Sequence, residues 1–146
     1  MSTKISEDSK ILADLLHSAA IHLLRKLRRE DAASGLNAPR LSALSVVVFA
    51  GTVTLGDLAA AEQVRPPTMT RIVDALVEQG LVVKKKNALD GRSTLILATA
   101  AGKKLLMQGR ERRVRALAAQ IAALGAADRM SLGSAAEILK KVITAI

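Results

Sequence analysis

Residues 63–99 read QVRPPTMTRIVDALVEQGLVVKKKNALDGRSTLILAT, and their order predicts a helix followed by a basic hairpin. Pro66 starts the helix, because a proline at a first helical position gives up no hydrogen bond and its φ is already suitable. Arg65, directly before it, is held extended. Met69, Ile72, Val73 and Leu76 then fall at i, i+3, i+4 and i+7, a stripe that must face a core. The opposite face carries Pro67, Thr68, Thr70, Arg71 and Asp74. Short side chains, hydroxyls and one guanidinium can approach base edges and phosphates closely. Gly80 suits a left-handed helix cap, and Leu81-Val82-Val83 begins a strand.

Lys84, Lys85 and Lys86 continue that strand, Asp90-Gly91 forms a turn, and Thr94 to Ala98 return as the partner strand. The lysines and Arg92, with Ser93 beside it, lie on the distal half of this hairpin. Upstream, Thr54 and Asp57 have the spacing of a capping box for a short helix carrying Leu55, Leu58 and Ala59, with Val64 packing its end. Two helices joined by a tight turn and followed by a basic two-stranded hairpin make a winged helix-turn-helix. The candidate DNA contacts are Arg65, Pro67, Thr68, Thr70, Arg71, Lys84, Lys85, Lys86, Arg92 and Ser93, with Thr68, Thr70 and Arg71 assigned to bases.

Farther out, residues 10–29 form an amphipathic helix with acids near its start and arginines near its end. Gly35, Asn37 and Pro39 interrupt it, and Leu41, Leu44, Val47 and Val48 belong to a second helix ending at Gly51. A long helix runs from Thr99 until Gly125 stops it, and a last one carries Leu132, Leu139, Val142 and Ile146. The first and last helices are apolar over wide faces that the small winged unit cannot cover. Packing together and against a second copy is the expected solution, with Leu12, Leu15, Leu16, Leu132, Leu139, Val142 and Ile146 as dimerisation residues. A two-fold dimer presents two recognition helices to successive major grooves, which implies a pseudo-palindromic operator. The expected architecture is mainly α (α+β) in one domain: residues 1–36 and 100–146 form the helical dimerisation region, and residues 37–99 the winged unit.

Composition agrees with this reading. The 146 residues, 50% of them hydrophobic, suit one domain. Lys+Arg number 22 against 13 Asp+Glu, and the net charge of +9 favours nucleic acid or an acidic membrane surface. Zero cysteines exclude disulfides, thiolate metal sites and cysteine nucleophiles, and fit a reducing cytosol. Phe49 is the sole aromatic, so the stacking surfaces used on single strands and RNA are missing and double-stranded DNA is the better partner. Met1 to Asp8 is polar and acidic, unlike a signal peptide. The longest strongly apolar run, Val46 to Ala50, is far below the roughly 20 residues of a membrane span. A prokaryotic cytoplasmic protein, associated with the nucleoid when bound to DNA, is expected.

The stretch Leu55 to Thr99 resembles the DNA-binding region of MarR-family transcriptional regulators. The resemblance rests on Thr70-Arg71-Ile72-Val73 with Leu76, on Gly80-Leu81-Val82, on Asp90-Gly91-Arg92, and on Leu97-Ala98-Thr99 leading into Gly102. Together the last two sets resemble the family's D-x-R…L-T…G signature, with Ala98 interposed. The helices on either side match in pattern. What the resemblance implies is a repressor in which Arg92 reaches the minor groove while Asp90 and Gly91 support the wing. It also implies release by a small-molecule effector held between the dimer helices and the winged domain. Arg65 departs from the family, which often has a small polar cap there; a guanidinium instead lies where DNA phosphate could be.

Blander readings stand beside these. Thr70 and Arg71 alone read equally as solvated residues, and the wing after them shifts the balance to DNA. The lysine triplet also serves as a guard against edge-to-edge aggregation. Lys103, Lys104, Arg110, Arg112, Arg113 and Arg115 read as a solvated helix face. His17 and His22, five residues apart, do not share a face as a metal pair would, so neither metal nor cofactor is expected. No acid/base pair suggests an enzyme. The rival function is a basic helical protein that binds DNA non-specifically or docks on anionic membranes, but it lacks aromatic anchors and gives the hairpin no role.

Overall fold

The computed structural model describes residues 5–146; Met1–Lys4, part of the polar N-terminal stretch and of the expected dimerisation region, lie outside the described residues. Helix α1 spans Glu7–Leu27 and passes into a 3-10 helix, Arg28–Ser34. Then come α2 (Ala38–Ala50), β1 (Thr52–Thr54), α3 (Leu55–Ala61), α4 (Pro66–Glu78), β2 (Val82–Lys86) and β3 (Thr94–Ala98), followed by α5 (Ala100–Ala122) and α6 (Ala126–Ala145).

Side-chain caps set most helix starts. Ser6 accepts from the backbone N–H of Ser9, Asn37 from Arg40, Thr54 from Asp57 and Thr99 from Gly102. The Thr54 hydroxyl also donates to the Asp57 carboxylate at 2.7 Å, tightening the start of α3. Helix α4 ends in a Schellman turn: Gly80 takes φ 69° and the Leu81 N–H reaches the Leu76 carbonyl at 2.9 Å.

The sheet has three strands in the order β1-β3-β2, all antiparallel, where the hairpin alone gives two. Thr52 pairs with Leu97 and Thr54 with Leu95, so β1 closes the free edge of β3. The helix expected over residues 10–29 starts at Glu7 and yields at Leu27 to the 3-10 turn, which Ser34 fastens by donating its hydroxyl to the Asp31 carbonyl at 2.6 Å. Helix α5 stops at Ala122, and Gly125 serves as the N-cap of α6.

The core is aliphatic with one thioether. Leu44, Val47, Leu58, Met69, Leu76 and Ile96 are fully buried, whereas Phe49 is 72% exposed and contributes little to it. Three of the four stripe residues of α4, Met69, Val73 and Leu76, are buried in this core, and Ile72 packs against it. By contrast, no residue of α1 or α6 is buried. Ile11, Leu12 and Leu15 on α1, and Ile138, Val142 and Ile143 on α6, face outward in the single chain.

The start of α5 is locked to the end of α4. The Thr99 N–H donates to the Leu81 carbonyl at 3.0 Å and the Thr99 hydroxyl to the Gly80 carbonyl at 2.6 Å. Gly102 sits over the same carbonyl, where a Cβ would come within 2.1 Å of the Leu81 oxygen and 3.2 Å of Leu44 Cδ1. Farther along α5, Arg113 pairs with Asp31, and Arg112 Nε donates to the Glu30 carbonyl at 3.3 Å, so the 3-10 helix is fastened to it.

Gly102→Ala is therefore expected to destabilise the protein by about 3 kcal/mol or more, because backbone cannot yield to the added methyl. Gly133→Ala in α6, whose Cβ would meet nothing within 4 Å, should instead stabilise by roughly 0.5–1 kcal/mol through helix propensity. Urea unfolding of both variants measures the contrast; equal midpoints would remove the close-approach argument.

Candidate nucleic-acid interface

The recognition helix is positioned by the turn before it. Glu62 closes α3 and accepts the Ser42 hydroxyl at 3.0 Å, which ties the turn to α2. Gln63 takes φ 53°, a left-handed conformation that costs a non-glycine residue roughly 1–2 kcal/mol. The Val64 N–H reaches back to the Ala59 carbonyl at 3.0 Å and Val64 packs on the core, so the turn is over-determined and holds the strain. Arg65 then caps α4 in an extended conformation with no side-chain cap, leaving its guanidinium exposed.

Pro67, Thr68 and Arg71 are exposed on the first two turns of α4. Thr70 is half-buried and its hydroxyl donates to the Pro66 carbonyl at 3.0 Å, so it can offer its lone pairs but not its proton. The two flanks of the helix differ. Asp74 is paired with Lys84 of the wing, while Thr68 and Arg71 border the start of α2 in a shallow notch with Asn37, Pro39 and Arg40.

Strand register divides the lysine triplet. Lys84 pairs with Ile96, which is buried, so Lys84 emerges on the sheet face that looks toward α4 and meets Asp74 there. Lys85 pairs with Leu95 and points to the other face, while Lys86 pairs with Thr94 at the open end. Lys85, Lys86 and Arg92 are exposed and form no ion pair among the described residues.

Hydrogen bonds shape the wing tip. The Asp90 carboxylate accepts the Arg92 N–H at 3.0 Å, and the Asp90 carbonyl accepts from the Ser93 N–H at 3.0 Å and its hydroxyl at 3.1 Å. Asn87, which the sequence did not single out, donates through Nδ2 to Ser93 Oγ at 2.9 Å and accepts the Leu89 N–H at 3.0 Å. Asp90 thus holds the backbone under Arg92, and Ser93 is a fastener of the same turn. Leu89 is 98% exposed, so these polar bonds, not apolar packing, order the tip.

The second basic cluster is partly committed elsewhere. Arg112 and Arg113 hold the 3-10 helix, and Arg115 pairs with Glu111 at 2.8 Å. For Arg112 and Arg113 sequence spacing alone could not show this, because their partners Glu30 and Asp31 lie 82 residues away.

A model of the MarR family matches residues 34–93. An HTH-type transcriptional regulator of Mycobacterium bovis is 33% identical over 139 residues, covering 95% of this chain and 96% of that protein. A transcriptional regulator of Thermotoga maritima superposes with a TM-score of 0.82 at 19% identity, over 92% of this chain and 95% of that one. NadR, solved in complex with 4-hydroxyphenylacetate, superposes with a TM-score of 0.63 at 23% identity, over 97% and 98% of the two chains. At these identities the two structures support the fold alone.

Asp90→Ala removes a charge-assisted bond worth about 1.5–3 kcal/mol locally. Amide exchange at Arg92 should accelerate by roughly ten-fold or more, with the melting temperature of the whole protein little changed. An unaltered exchange rate would show that the tip is ordered by something else.

Proposed function

Because the chain belongs to the MarR family of transcriptional regulators, a family of regulators and not of enzymes, we propose that it is a sequence-specific double-stranded DNA-binding repressor acting as a homodimer on a pseudo-palindromic operator. The observation that carries this reading is the Lys84–Asp74 pair. It braces the wing against the recognition helix, while Arg65, Arg71, Lys85, Lys86 and Arg92 stay without ionic partners among the described residues. A braced scaffold with unneutralised cations suits a polyanion of fixed shape.

In this reading the first two turns of α4 enter the major groove, with Pro67 and Thr70 toward base edges and Thr68 and Arg71 on the flank. Arg92 reaches the adjacent minor groove, supported by Asp90 and Gly91, with Lys85, Lys86, Arg65 and Ser93 near the backbone. Lys84 acts through the wing's orientation. A protein so placed over a promoter represses by occupying it.

The outward apolar faces of α1 and α6 support dimerisation, since such area left in water is unfavourable at about 25 cal/mol per Å2. A second copy laid against Leu12, Leu15, Leu16, Leu132, Leu139, Val142 and Ile146 would cover them. Effector control is supported by a crevice of about 240 Å3 between the 3-10 helix, α2 and α5, lined by Arg28, Asp31, Leu41, Ser45, Leu106 and Arg113 among others. The complex of NadR shows that a protein of this fold holds a small aromatic acid. Among the described residues no single helix is long and apolar enough to cross a membrane.

Selection of duplexes from a random pool, followed by salt titration on the selected site and a scrambled version, tests the function. A regulator keeps a preference of several orders of magnitude at physiological salt; the rival non-specific binder loses both duplexes in parallel. Arg92→Ala should weaken both alike and lower the slope of log K against log salt by about 1.8 for the two copies in a dimer. In a separate measurement, Leu15→Glu, at a position 62% exposed in the single chain, should convert a dimer to a folded monomer in sedimentation equilibrium. A wild type that sediments as a monomer refutes the dimer.

A further inference from the structure

The notch between the start of α2 and the flank of α4 has a volume of about 250 Å3 and is lined by Asn37, Pro39, Arg40, Thr68, Arg71 and Ile72. Two of these six residues are arginines and none is acidic. Neither guanidinium takes part in an ion pair among the described residues. Arg40 is half-buried. The first turn of α2 is not the source of attraction, because Asn37 Oδ1 already accepts the Arg40 N–H at 3.1 Å. Two cations lining one concave surface repel each other, and an anion between them reverses the sign of that interaction.

Groove dimensions identify the anion. An α-helix with its side chains is about 10–12 Å across, and the major groove of B-DNA is about 12 Å wide. A helix seated there therefore presents its outermost residues to base edges and its two flanks to the phosphate walls. On one flank of α4, Asp74 is neutralised by Lys84 of the wing. On the other lie Thr68 and Arg71, with Arg40 beside them on α2. The notch is shallow and open to solvent, so a phosphodiester group can enter it without displacing protein atoms.

We propose that Arg40 and Arg71 together hold one backbone phosphate per half-site at the wall of the major groove opposite the wing, with α2 forming part of the DNA interface. The guanidinium forks supply donors in the geometry that phosphate oxygens accept. Arg71 then sets the depth of α4 in the groove from its flank, and Thr68 lies next to the gripped phosphate. The inference rests on the DNA-binding function proposed above and adds a residue, Arg40, and a ligand group to it.

The test uses the full-length protein on the selected duplex and its scrambled version, with salt varied between 50 and 200 mM. Arg40→Gln is expected to weaken both duplexes by the same factor and to lower the salt slope by about 1.8 for the dimer, while Arg40→Lys, which keeps the charge, retains the slope. Phosphate ethylation should interfere with wild-type binding at one position per half-site where Arg40→Gln and Arg71→Gln are both indifferent. An unchanged slope in Arg40→Gln, or arginines that map to different phosphates, overturns the proposal. If the wild type holds the two duplexes equally, the sequence-specific function falls, yet the slope on either duplex still decides the notch. If Arg40→Gln does not fold, the ethylation maps of wild type and Arg71→Gln decide it: no shared phosphate beside Arg71 overturns the grip.

Discussion

Gly102 lies against the carbonyl of Leu81 so closely that a methyl group would come within 2.1 Å of the oxygen. That carbonyl belongs to the residue that closes the Schellman turn of α4 and leads into β2. The same few atoms therefore fix the end of the recognition helix, the root of the wing and the first turn of α5. Thr99 completes the joint, because its hydroxyl oxygen caps α5 through the Gly102 N–H at 3.1 Å while its proton goes to the Gly80 carbonyl. This joint sets the first turn of the long helix, and Arg112 and Arg113 fasten that helix a second time, to the 3-10 helix.

Part of the charge in this protein is engaged in holding the fold. Lys84, Arg112, Arg113 and Arg115 are each engaged with a carboxylate or a carbonyl of the chain. The exposed pairs among them contribute little to stability, about 0–1 kcal/mol each; the Asp31–Arg113 pair is more enclosed and orients an element. The net charge of +9 therefore describes the long-range field better than it describes any contact. Among the cations that form no ion pair with the described residues, Arg65 and Arg71 lie at α4 and Lys85, Lys86 and Arg92 on the hairpin.

What could be read from the sequence was whatever is written locally. Pro66, the Met69-to-Leu76 stripe, Gly80 and the Asp90-Gly91 turn each act within a few residues, and the structure has a helix, a cap, a strand and a turn at those places. Strand β1 was missed because three residues, Thr52 to Thr54, are too few to show alternation, and they pair only once β3 is in place. The pairing of Lys84 with Asp74 was hidden because a run of three lysines looks uniform until the register turns alternate residues to opposite faces. Arg40 was invisible as a candidate for a different reason: its neighbour Arg71 is 31 positions away, and only the packing of α2 on α4 brings the two to one notch. For the outer helices the sequence displayed the apolar faces, but among the described residues nothing buries them.

The length of α5 gives the Gly102 joint a mechanical meaning. With 23 residues at about 1.5 Å each, the helix is roughly 34 Å long. Pivoted at its first turn, a tilt of about 5° moves its far end by roughly 3 Å, close to the 3.4 Å axial step between bases of one strand. An error of a few degrees at one end thus equals a whole base pair at the other. Angular stiffness at the Gly102 joint, backed by the Arg112 and Arg113 contacts with the 3-10 helix, therefore governs where the far end of α5 lies relative to the winged unit.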